Sequence, residues 1–140
     1  MSKIVCGIDI EGSTAIVIIL KGTKQSHSRI STKFNKIELK EHKSQAEIHS
    51  FRLTVFSHFF NENVSIVGIK GRATKGQFSG GPISFKIEGL IQTVENIPVE
   101  IISPSTIAAT LRKHPINVEN LGINKYQYNA YKVAYHLLED

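Results

Sequence analysis

From Lys3 to Leu39 apolar β-branched residues dominate, and breaks at Glu11-Gly12-Ser13 and Lys21-Gly22-Thr23 divide the stretch into three expected strands joined by turns. The period then changes. Ile48, Phe51, Val55 and Phe59, with Phe56 and Phe60 beside them, recur at helical spacing, which predicts a helix with its phenylalanines in the core. Ser44-Gln45-Ala46-Glu47 at its start has the form of a capping box. Val64 to Ile69 is too short for a helix and suits a buried central strand. Gly80-Gly81-Pro82 opens a second helix with an apolar face of Ile83, Ile87, Leu90, Ile91 and Val94. Val99 to Ile102 is a further strand, and Ser103-Pro104 starts a short helix through Leu111. After an irregular connection marked by Pro115 and Gly122, a last helix is expected from about Lys125, with Tyr126, Ala130, Val133, Ala134 and Leu137 facing inward.

Consecutive strands joined by short turns pair antiparallel, whereas strands separated by helices cross over and pair parallel. The order β-β-β-α-β-α-β-α-α therefore predicts an α/β fold with a mixed five-stranded sheet covered by helices. With 140 residues, 41% apolar and 21% charged, and with no repeat or linker, residues 1–140 are expected to form one domain. Apolar runs such as Ala15 to Leu20 are far too short to cross a bilayer, and Asp9 interrupts the N-terminus before a signal-peptide pattern develops. Cys6 is the only cysteine, so a disulfide within the chain and a cysteine-based zinc site are excluded. A cytoplasmic protein without membrane contact is the expectation.

The formal charge is +5, a surplus that by itself means ordinary solubility. Its distribution changes the picture. Between Glu62 and Glu88 there is no acid, while Lys70, Arg72, Lys75 and Lys86 lie inside that interval. Gly80 and Gly81 precede a helix N-terminus there, so that Lys70, Arg72, Lys75, Gly80 and Gly81 form a candidate anion site of cations, free amides and helix dipole. It lacks the lysine-serine or lysine-threonine pair of a Walker loop. A second cluster, Lys21, Lys24, Arg29, Lys33, Lys36, Lys40 and Lys43, reads equally as a solvated hairpin edge. The six histidines show no paired ligand spacing. Among the tyrosines, Tyr126 is expected to pack inward, while Tyr128, Tyr131 and Tyr135 face elsewhere or a partner; stacking on bases is the alternative.

Asp9 lies within an apolar strand expected to be central, where an ionised carboxylate is costly unless it is paired, hydrogen-bonded or bound to a cation. A hydrogen bond to the Gly12-Ser13 turn and a metal are both open. Val5-Cys6-Gly7-Ile8-Asp9-Ile10-Glu11-Gly12 resembles the first strand of the RuvC branch of the ribonuclease H-like fold, and the element order is similar to that fold over nearly the whole chain. Lys75 to Gly81, Ser84-Phe85-Lys86 and Ile102 to Ile107 resemble more closely a small bacterial family of RuvC-like domains of unknown function. The resemblance implies that Asp9 would hold magnesium or manganese in a nuclease, and in that alternative Glu11 and an unrecognised third acid would join it. Such a centre needs several carboxylates. The acid expected after Ile69 is missing from Lys70-Gly71-Arg72, with Gly71 taken as its position, and Asn129 stands where the last helix should supply another.

The leading expectation is a ribonuclease H-like domain that binds nucleic acid with little or no hydrolysis. A divalent-metal-dependent nuclease using Asp9 and Glu11, and a non-catalytic interaction or homodimerisation module, are the alternatives.

Overall fold

The computed structural model describes residues 3–32, 34–72 and 81–140. Its strands are β1 (Lys3–Glu11), β2 (Thr14–Gly22), β3 (His27–Ile30), β4 (Lys36–Glu38), β5 (Ile66–Lys70) and β6 (Val99–Ile102), and its helices are α1 (Gln45–Asn61), α2 (Pro82–Gln92), α3 (Pro104–Lys113) and α4 (Tyr128–Leu137). They form one mixed sheet in the order β3-β2-β1-β5-β6, with β4 also on β2. The β1-β2 pair is antiparallel and β1-β5-β6 are parallel, as the connections require. The expected five strands are six among the described residues, because the third is broken. Ile30 pairs with Ile19 and Lys36 with Ile16, so the chain between Ile30 and Lys36 is longer than the two residues, Val17 and Ile18, that separate their partners on β2. The extra length cannot stay in the ladder, although the Asn35 carbonyl still accepts a bond from Val17 at 2.9 Å.

α1 begins as expected, with the Ser44 hydroxyl accepting from the Glu47 amide at 3.3 Å. Phe51, Val55, Phe56 and Phe59 are buried with Ile87 and Ile91 of α2 against Cys6, Ile8 and Ile10 on one side of the sheet. Phe60 departs from its expected place and is 51% exposed. On the opposite side, Val5, Ile16, Ile18 and Leu20 pack against Ile107 of α3 and Ala130, Val133, Ala134 and Leu137 of α4.

α4 lies unusually close to the sheet. A Cβ added to Gly7 would sit 2.2 Å from the Ala130 carbonyl oxygen and 2.4 Å from the Ala134 nitrogen, so only glycine admits the helix here. Gly68, its partner on β5, faces Val133 and Leu137 in the same way. The helix also starts later than expected. Residues Lys125–Gln127 form a 3₁₀ turn in which the Gln127 side-chain oxygen accepts from the Asn124 amide at 2.9 Å, and the α-helix proper begins at Tyr128. This rotates the tyrosines relative to expectation. Tyr126 is 37% exposed, while Tyr131 and Tyr135 are buried. His27 meets the Tyr131 hydroxyl at 2.5 Å, and Tyr135 donates to the His114 carbonyl at 3.2 Å. Among the described residues no helix is long and apolar enough to cross a membrane.

Candidate functional site

Side chains alternate across a strand, so on β1 the odd-numbered Val5, Gly7, Asp9 and Glu11 project to the α4 side while Cys6, Ile8 and Ile10 enter the opposite core. The glycine contact at Gly7 brings α4 down onto this row, and one turn further Asn129 arrives beside Asp9. Asp9 is 3% exposed. Burial, a hydrogen bond with the Glu11 carboxyl and the Glu11 charge push its pKa from 3.8 up to about 6, against the opposing pull of Lys70 and a hydrogen bond from Asn129. Burial is the largest cause, and the neighbouring Glu11 carboxyl adds to it by disfavouring a second negative charge beside its own. The groups that favour the Asp9 charge are thus Lys70 and Asn129, while Glu11 opposes it.

Lys70 is the residue on β5 that faces the site. Gly68 points at α4, so Lys70, two residues on, does as well, and it stands one position past the Ile8–Ile69 pair, beside Asp9. Gly71 turns the other way, with its α-hydrogen towards the Ile102 carbonyl and Ile101. Lys70 and not Gly71 is therefore the residue at the end of β5 that stands beside Asp9. Sequence periodicity held the signal, since Gly68 and Lys70 are two residues apart on one strand. Asn129 is where it was expected.

The register extends this into a row across four strands. Asp9 pairs with Ile16, and Ile16 with Lys36, so Lys36, Ile16, Asp9 and Lys70 lie side by side on the α4 face. Strands about 4.8 Å apart put the two lysines about 14 Å from each other with the acid between them. Two hollows flank the row. One, of about 270 Å³, is lined by Lys70, Asn129, Lys132 and apolar residues of α3; the other, also about 270 Å³, by Glu11, Thr14, Ile16, Lys36 and Tyr126. The sequence placed Lys36 in a cationic cluster and Tyr126 among the tyrosines expected to pack inward or stack on bases, but not the two together, because nothing along the chain shows that β4 and the 3₁₀ turn meet.

The second candidate, around the start of α2, is reorganised. The Arg72 guanidinium is only 10% exposed; it pairs with Glu88 at 2.9 Å, donates to the Lys70 and Ser84 carbonyls and lies 4.7 Å from the Phe85 ring centre. It ties β5 to α2. Glu88 is thereby engaged with Arg72. Gly81 is exposed at the N-terminus of α2, and the Ser84 hydroxyl donates to its carbonyl at 2.6 Å. Lys75 and Gly80 lie outside the described residues. In the other cationic cluster Lys24 is also taken: its side chain, 7% exposed, caps the C-terminus of α4 on the His136 and Leu138 carbonyls and pairs with Asp140 at 3.4 Å.

A divalent-metal centre can be tested against these residues. One buried carboxyl with its pKa raised to about 6, one further acid, one amide and one ammonium make a poor donor set for two divalent ions, which take several anionic oxygens. Among the described residues no three His, Cys, Asp or Glu side chains converge as a metal site, and residues 1, 2, 33 and 73–80 contribute no acid to the sequence. The residues present do not fit that centre.

With sheet order, crossovers and an acid on the central strand in place, the protein has a ribonuclease H-like fold similar to that of RuvC. Thermus thermophilus RuvC superposes with a TM-score of 0.72 over 95% of this chain and 92% of that one, at 11% identity. In complex with a Holliday junction substrate the same enzyme gives 0.64 over 96% and 91%, at 10% identity. Fowlpox virus resolvase bound to Holliday junction DNA gives 0.54 over 94% and 93%, at 15% identity. No curated protein sequence matches the chain. The chain belongs to the family described as protein of unknown function DUF3010, which matches residues 3–137.

Proposed function

We propose that this domain binds nucleic acid across the carboxyl ends of β1 and β5 with little or no hydrolysis. The observation that carries the reading is Lys70: an ammonium stands on the Asp9 face where a nuclease centre of this fold would need a further acid. An ammonium there lowers the local affinity for divalent cations and raises it for a phosphate, because both follow the sign of the charge. Lys36 and Lys132 extend the cationic border on either side of the acid pair. The two RuvC-fold neighbours captured on Holliday junctions place branched DNA among the ligands to try. Carboxyl ends of parallel strands are also where open α/β sheets take their ligands.

The test is a binding titration with single-stranded, duplex and four-way-junction DNA and RNA, with magnesium or manganese present and products resolved for cleavage. Binding without cleavage is expected. Isothermal titration adds a constructive arm: Lys70→Glu with Asn129→Asp supplies two acids facing Asp9 and should raise magnesium affinity by about tenfold or more over wild type. Metal-dependent cleavage by the wild type, abolished by Asp9→Asn, would replace this reading with the nuclease.

A further inference from the structure

The hollow on the β4 side of the acid pair has a composition of its own. Tyr126 presents its ring from the 3₁₀ turn before α4 and is 37% exposed, while on α4 Tyr128 is half-buried and Tyr131 and Tyr135 are buried. The Lys36 Nζ sits 4.0 Å from the centre of that ring. Thr14, the buried Ile16 and Glu11 complete the lining of a space of about 270 Å³. That volume suits one planar heterocycle. Resting on the reading of a nucleic-acid surface, we propose that Tyr126 and Lys36 form a pocket for one unpaired nucleobase, so that the domain selects single-stranded over fully paired nucleic acid.

Three arguments support this occupant. An aromatic face accepts any nucleobase, and a base inside a duplex cannot leave its stack to reach a ring set back in a hollow without breaking its pair. The lysine now covering the ring is solvent-exposed and has no carboxylate partner among the described residues, so an arriving base displaces it at small cost, cation–π contacts at exposed sites being weaker than base stacking. Once displaced, the ammonium is free to meet the phosphate of the same nucleotide. Glu11 orients the entry: its carboxylate repels phosphate from its part of the lining, so the base goes in and the backbone stays at Lys36. The backbone then continues along the row towards Lys70, about 14 Å away, a distance that two to three nucleotides span.

Fluorescence anisotropy tests the pocket, using one labelled 20-nucleotide strand alone and annealed to its complement, at fixed salt. Wild type should bind the single strand about tenfold more tightly than the duplex. Tyr126→Leu should weaken single-strand binding by about tenfold and leave duplex binding within about twofold, and Tyr126→Phe should retain the wild-type preference. Lys36→Gln should weaken single-strand binding and flatten its salt dependence by about one counterion. Circular dichroism melts of all variants should match the wild type, since neither side chain is core. Equal wild-type affinity for both strands, or equal weakening of both by Tyr126→Leu, overturns the pocket and leaves the cationic surface standing. Absence of binding to either form overturns the surface and the pocket together.

Discussion

On the α1–α2 face of the sheet, large side chains fill the space between layers: Phe51, Phe56, Phe59, Ile87 and Ile91 meet Cys6, Ile8 and Ile10 at ordinary helix-to-sheet separation. On the α3–α4 face, side chains are removed so that backbones can meet, with Gly7 under Ala130 and Ala134 and Gly68 under Val133 and Leu137. The first arrangement stores stability and places no chemistry. The second holds α4 near enough for Asn129 to reach Asp9, and it brings Lys70 and the 3₁₀ turn carrying Tyr126 to the same edge. Burial of a carboxylate is tolerated only on the side where the helix backbone is pinned at short range and delivers a partner.

The contrast breaks most sharply at Gly7. An added methyl meets backbone atoms at 2.2 and 2.4 Å, and no rotamer change can clear them; α4 must lift away. Gly7→Ala should cost about 3 kcal/mol or more in chemical denaturation, or abolish cooperative folding. Gly68→Ala sharpens the point, because its nearest obstacles, at 2.8 to 2.9 Å, are the flexible ends of Ile102, Leu137 and Val133; about 1–2 kcal/mol is expected. A cost under about 1 kcal/mol for Gly7→Ala would mean that α4 slides freely over β1 and that the site is not held by this contact.

The opposite face should fail by cavity instead of collision. Phe56 is 9% exposed, with the Phe59 ring 6.5 Å away and the Arg52 guanidinium 4.5 Å from its own ring centre. Phe56→Ala should lose about 3 kcal/mol, measured as a shift in denaturation midpoint. Folding should remain cooperative, since the surrounding helices keep their positions around the void. A loss below about 1 kcal/mol would show that the Arg52 side chain, already over the ring, collapses into the gap.

These two faces also differ in how far they can be read from residues alone. The α1 face repeats at helical spacing with bulky residues, so Phe51, Val55, Phe56 and Phe59 declare themselves; only Phe60, one position beyond the buried arc, falls outside. Asp9 and Asn129 were identifiable because an acid in an apolar strand and a matching helix segment are local features. Lys70 was displaced by one residue because turn residues Gly71 and Arg72 gave no phase for the strand end, although alternation from Gly68 supplies it. The break between β3 and β4, the 3₁₀ start of α4 and the meeting of Lys36 with Tyr126 depend on how non-local pieces pair, and no period along the chain encodes that. Arg72 looked free because its partner Glu88 is sixteen residues away on another element.

The smallest expected effect bears on the cost of placing Asp9 under α4, and its sign is set by proton linkage. An unfolded aspartate ionises near 3.8, while in the folded protein burial and Glu11 hold the Asp9 proton up to about 6. Below pH 3.8 both states are protonated and the group contributes nothing. As pH rises through the window from 3.8 to about 6 the unfolded state releases its proton first, so this group destabilises the fold progressively and then by a constant amount above the window. Asn in place of Asp9 keeps an acceptor for the Asn129 amide and offers a donor to Glu11 without a charge to desolvate. Asp9→Asn should therefore be more stable than wild type by about 1–2 kcal/mol at pH 7.5, and the advantage should shrink towards zero by about pH 4. Urea denaturation of both proteins at several pH values between 3.5 and 8 measures the difference directly, with the pH dependence of groups remote from Asp9 cancelling between them. A variant less stable at pH 7.5, or a difference that does not change with pH, would mean that Asp9 is ionised and well compensated throughout. In that event Lys70 and Asn129 outweigh burial and Glu11, and the α4 face places its acid at no cost to the fold.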